Sequence, residues 1–171
     1  MIPAGYMLKR VSSRPAHISN ASVKDVYSVS GCISEFASWT KDWWFFARPE
    51  TIDVTEVSAT ELPQLTLFYY EMYEREFDEC SKTWSRFEPL NPPVKWHERI
   101  SLQGFDVISF SAGQNPECSP LSCNSLANEL DVNPHCLFST FEHAMSALET
   151  GKFDNVEPGP FRIFAVYTVG R

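Results

Sequence analysis

The sequence predicts an α+β fold: a mostly antiparallel sheet of about five strands, with helices inserted after the first and fourth strands. Three observations carry that expectation. Short segments rich in aromatic and β-branched residues recur between breaks marked by proline, glycine or clustered polar residues. Two segments late in the chain carry helix-entry signals, Ser119-Pro120 and Ser139-Thr-Phe-Glu142. No internal repeat or low-complexity linker divides the 171 residues, which read as one domain with room for a substantial core.

In chain order, Asp25–Gly31 alternates apolar and polar residues and reads as a short strand. Ser34–Phe46 reads as a helix, because Phe36, Trp39 and Trp43 are spaced by three and four and share one face. Trp44 and Phe45 are then left near the surface. Pro49 can open another short helix, Glu50–Ala59, closed by Leu62-Pro63. Residues 64–78 are ambiguous between helix and strand. Their aromatic and Thr content favours a long strand, with a turn at 78–82 and a return strand at Thr83–Phe87. Gly104–Phe110 is a clear strand.

Ser119 as cap and Pro120 at the first helical position start a short helix, to about Leu130. Ser139 with Glu142 fits a capping box for a helix whose apolar face is Phe141, Ala144, Met145 and Leu148, stopped by Gly151. Phe161–Val169 is a nearly continuous apolar run, which predicts a strand in the middle of the sheet.

Charge and cysteine usage narrow the function. A net charge of −8 and a pI near 5.0 repel a phosphate backbone, and the bases are scattered, so nucleic acid is not expected as a ligand. An acidic surface suits a basic protein partner. No run approaches the ~18–20 apolar residues of a membrane span, and no secretory leader is visible. Five cysteines do not suggest a disulfide framework, so a cytoplasmic location is expected.

Chemistry concentrates in one segment, where Cys118, Ser119, Ser122 and Cys123 precede His135-Cys136. If the protein is an enzyme, Cys123 in a helix's first turn is the nucleophile, with His135 (or His143) as base and Ser122 beside it. The bland reading makes the cysteines small core fillers and Ser119 a cap. Cys118-x4-Cys123-x11-His135 does not match the paired spacing of structural zinc sites, so neither metal nor cofactor is expected. No phosphate-binding loop, His-Glu-x-x-His or Gly-x-Ser-x-Gly is present.

A second candidate is the acidic stretch Glu71–Glu79, five carboxylates set against Arg75. As a strand it places Tyr70, Glu74, Glu76 and Asp78 on one face, a surface for a basic partner. The tryptophan group could alternatively dock on a partner protein.

Glu117–Ala127, Glu157–Tyr167 and the opening Ile2–Arg10 resemble a group of small uncharacterised bacterial proteins. The resemblance implies a bacterial, cytoplasmic, single-domain protein. It implies no activity, so no catalytic residue comes with it. The expectation is therefore an interaction module of the immunity type that masks a basic effector. The alternatives are a thiol-dependent hydrolase or transferase using Cys123 and His135, and a regulatory or structural subunit docking through its Trp-rich helix.

Overall fold

The structure is a computed structural model, and it describes residues 1–38, 45–55, 57–88, 93–95, 99–111, 113 and 115–170. The sheet has five antiparallel strands: β1 (Ile2–Arg10), β4 (Leu65–Asp78), β5 (Thr83–Arg86), β6 (Ile100–Ser109) and β7 (Phe161–Val169). Their order is β1-β4-β7-β6, with β5 pairing on β4. A separate two-stranded ladder joins β2 (Ser12–Ser13) to β3 (Asp25–Val26). Helices α1 (Pro120–Cys123) and α2 (Phe141–Glu149) lie between β6 and β7 in the chain. No helix among the described residues is long and apolar enough to cross a membrane.

β7 lies between β4 and β6, and its two faces enter two different apolar clusters, which explains its nearly continuous apolar run. Phe161 and Ile163 enter one cluster with Val107 and the α2 residues Ala144, Ala147 and Leu148. Phe164 and Val166 enter the other with Ile108, Tyr70, Met72 and Phe45. A period of two thus sends successive residues into two cores.

The long-strand reading of 64–78 matches β4, and Asp78 makes the turn into β5 by accepting from the amides of Cys80 and Ser81. Helix α2 begins one residue later than its capping box suggested. Thr140 is the cap and accepts from the His143 amide at 3.2 Å. Gly151, at φ +75°, follows its end.

Other expectations change. The segment read as a first strand contributes only Asp25–Val26. The stretch 50–59 holds a 3-10 turn at Pro49–Thr51, and 120–130 is split into α1 and a second 3-10 turn at Leu126–Asn128. Trp39, Trp43 and Trp44, on which the helical face and the docking idea rest, lie outside the described residues, as does His97. The described ends of that segment run along β1. Phe46 exchanges two 2.8 Å backbone hydrogen bonds with Tyr6, and Ala37 donates to the Leu8 carbonyl. Phe45 is buried rather than near the surface.

β1 itself was not anticipated. Pro3 and Gly5 disguise it, and Gly5 marks a register shift against β4. Gly5 sits at φ +136°, and a Cβ there would come within 2.7 Å of the Phe46 carbonyl oxygen. The backbone of 45–46 closes on β1 only because that position is bare.

Candidate functional site

Near the end of β6 stands Asp106, fully buried. Its Oδ1 accepts from the Ser119 hydroxyl at 2.7 Å and the Val107 amide at 2.9 Å, and its Oδ2 accepts from the Val29 amide at 2.9 Å. One carboxylate therefore ties together two segments far apart in the chain. Burial raises its pKa to about 6, against those hydrogen bonds and the charge of Lys9, which pull it down.

The second anchor is Lys9, also fully buried on β1. Its ammonium donates to the carbonyls of Ser28 and, at 2.8 Å, Ser30, and lies 4.5 Å from the centre of the Phe36 ring. Burial lowers its pKa to about 7, opposed by the charges of Asp106, Cys32 and Cys123. Lys9 and Asp106 together pin the loop Ser28–Ser34, and the Ser34 hydroxyl adds a bond to the Val26 carbonyl. That loop carries Cys32.

The facing segment is held as firmly. Ser109, at the end of β6, donates its amide to the Cys118 carbonyl and accepts from the Glu117 amide. Cys123, at the end of α1, donates its amide to the Ser119 carbonyl at 2.8 Å. The outcome is a convergence of three thiols: the sulfurs of Cys32, Cys118 and Cys123 all lie within 4.8 Å of one another. Cys32 is exposed and the other two are half-buried. Around them, the Cys118 thiol donates to Asn124 Oδ1 at 3.3 Å, Cys32 faces the Glu117 carbonyl at 3.5 Å, and Ser30 Oγ is 3.8 Å from Cys123 Sγ.

Such a cluster shares its protons unequally. Contacts with the Cys118 and Cys123 thiols, with Ser30 and with the Lys9 charge hold Cys32 far below the ordinary thiol range, against the cost of burial. Cys118 is pushed far up by its bonds to Cys123 and Cys32 and by burial. For Cys123 the contact with Cys118 pulls down, but the contact with Cys32 and burial leave it raised. Of the three, Cys32 is the thiol whose environment most favours the thiolate.

Cys32 was absent from the sequence-derived candidates. No local motif marks it, because its partners lie far along the chain. Cys118 and Cys123 were visible, yet their spacing alone argued against a shared ligand.

The other candidates land elsewhere. His135 Nδ1 pairs with Asp25 Oδ1 at 2.6 Å, and its ring stacks on Tyr27 at 4.1 Å. Cys123 has Ser30, Ser122 and two thiols as neighbours instead. The histidine that reaches this corner is His17, whose Nε2 is 2.8 Å from the Ser122 carbonyl. His143 packs on Phe138. Ser122 is buried and its hydroxyl turns to the Ser119 carbonyl. Ser119 occupies the cap position, but its hydroxyl is spent on Asp106 rather than on α1.

On the acidic strand, Tyr70 is completely buried and cannot meet a partner, which corrects its place in the proposed binding surface. Glu76 lies on that same inward face and pairs with Arg162 at 2.9 Å. Asp78 is engaged in its turn, and exposed Glu74 approaches Arg86 at 3.7 Å. The face shared by Tyr70, Met72 and Glu76 is thus a core face, not an outward one.

Compared with protein-family models, curated proteins and solved structures, the chain matches none.

Proposed function

We propose that this chain is a sulfur-centred binding protein whose working site is Cys32, Cys118 and Cys123, and whose task is to capture a soft, thiol-seeking species through more than one sulfur. The observation that carries the reading is the convergence of three thiols from two separately anchored segments. A polar scaffold of this kind costs free energy to bury: Lys9 and Asp106 are both inaccessible, and both carry pKa values shifted against their charged forms. Core-filling cysteines would need no such scaffold.

The site favours this reading over thiol hydrolysis, because Cys123 is flanked by sulfurs and hydroxyls while His135 is occupied by Asp25. It also favours it over masking of a basic effector, because Tyr70 is completely buried and the partly buried Glu76 is engaged by buried Arg162. The test is dibromobimane, a short reagent that becomes fluorescent on bridging two nearby thiols. Peptide mapping should find Cys32 bridged to Cys118 or Cys123. Single alkylation of Cys32, with no bridge, would count against the reading.

A further inference from the structure

We infer that Cys32, Cys118 and Cys123 form a three-thiolate site for a divalent d10 metal cation of the zinc and cadmium type, with the buried Lys9 side chain behind the loop that presents Cys32. The inference rests on the sulfur-centred reading above and names its ligand.

Geometry is the first support. Three sulfurs all within 4.8 Å of one another can stand no farther than about 2.8 Å from a common point, and a zinc–thiolate bond is about 2.3 Å, so each sulfur closes in by no more than about 0.5 Å. A cysteine χ1 adjustment supplies such a movement without shifting the backbone. All three sulfurs are used. A disulfide would consume two and strand the third.

Ligand type is the second. Thiolates select soft or borderline cations over magnesium or calcium. The hard-donor group at Asp78, Glu79 and Cys80 is the other cluster of metal-binding residue types among the described residues. Its carboxylates are already engaged, Asp78 with the amides of Cys80 and Ser81 and Glu79 with the amide of Gly159.

Charge is the third. Three thiolates around a divalent ion leave one negative charge, and the Lys9 ammonium lies behind the loop that presents Cys32. No carboxylate makes an ion pair with Lys9 among the described residues. Asp106 acts on it only from a distance, its oxygens being given to Ser119, Val29 and Val107. A nearby anion favours a buried ammonium, and the net negative charge of the metal-loaded site would supply one. Access is available too, since Cys32 is exposed. Three protein ligands with one open side describe a site that keeps an exchangeable fourth position.

The experiment uses the reduced full chain and Cd²⁺ as probe, read by the ultraviolet thiolate-to-cadmium charge-transfer band. One equivalent of Cd²⁺ should saturate the band, and Zn²⁺ should compete for it. Cys32→Ser, Cys118→Ser and Cys123→Ser should each cut the band by about a third and weaken binding by about 100-fold. Cys80→Ser should leave both unchanged. Lys9→Met should weaken binding by about tenfold while keeping the full band intensity per bound ion. Absence of a band, a band that survives Cys32→Ser intact, or one lost in Cys80→Ser would overturn the inference. The two readings fail separately. A bimane bridge without cadmium binding removes only the metal, and absence of both removes the sulfur site itself.

Discussion

Replacing Glu76 by Ala separates a structural carboxylate from a partner-facing one. In the native chain Glu76 Oε2 accepts from Arg162 Nε at 3.0 Å and Nη2 at 2.9 Å. The Arg162 side chain is only 4% exposed, and its Nη1 already lacks a partner. Burial depresses its pKa, and the Glu76 charge offsets that. The rings of Phe87 and Phe110, at 3.8 and 4.1 Å from the guanidinium carbon, remain in Glu76→Ala. They return only about 1 kcal/mol each. Breaking a buried pair by removing one member costs about 3–5 kcal/mol, because the surviving charge is stranded. For a domain of this size, each kcal/mol lowers the melting temperature by about 2–4 °C, so a fall of about 10 °C is expected.

Glu74→Lys is the control. Its ion pair is 3.7 Å long between side chains 75% and 49% exposed, and such pairs are worth less than about 1 kcal/mol. Thermal unfolding followed by circular dichroism measures both variants. If Glu76→Ala melts within 2 °C of the parent, the buried-pair account is wrong and Glu76 is free to serve a partner. Replacing both residues, as Glu76→Leu with Arg162→Met, should recover most of the loss, since the stranded charge is then gone.

Two further outcomes follow from buried positions. The folded-state pKa of Asp106, about 6, exceeds the ordinary 3.8, so the folded chain binds the extra proton between those values. Stability from this group is therefore full below about pH 4 and falls by about 3 kcal/mol as pH rises to 6. In urea unfolding, the parent should lose ground to Asp106→Asn between pH 4.5 and 6.5; a constant difference would refute the assignment. Gly104→Ala meets both strain and crowding, because Gly104 has φ +149° and its Cβ would sit 2.7 Å from the Phe138 carbonyl oxygen and 2.9 Å from Leu137 Cβ. A loss of about 3 kcal/mol in the same assay is expected, and an unchanged midpoint would show that the β6 bulge there relaxes freely.

Elements were legible where one periodicity dominated. β6, β7 and α2 each carry a run whose pattern chooses strand or helix, whereas for β4 spacing left both open and its aromatic and Thr content, with the turn into β5, tipped the reading to strand. β1 was not legible, because its proline and its bulge glycine are penalised locally and justified only by the backbone that closes on them. Ser119 shows a subtler limit. Its neighbours made it a helix cap, and it does hold that position, yet its hydroxyl serves a carboxylate on another strand. Position is set by local backbone preference, but the choice of hydrogen-bond partner is set by whatever the fold brings within reach.

The sequence by itself determined that this chain builds a mostly antiparallel sheet with α2 between its last two strands, because hydrophobic period is a local property. It also marked Cys118 and Cys123 as unusual. Only the tertiary structure decided that the third sulfur is Cys32, that Lys9 faces inward and that Tyr70 and Glu76 do too. Those outcomes depend on strands pairing across the chain, and the free energy of burying a charge or gathering thiols is settled by neighbours that no short window of sequence contains.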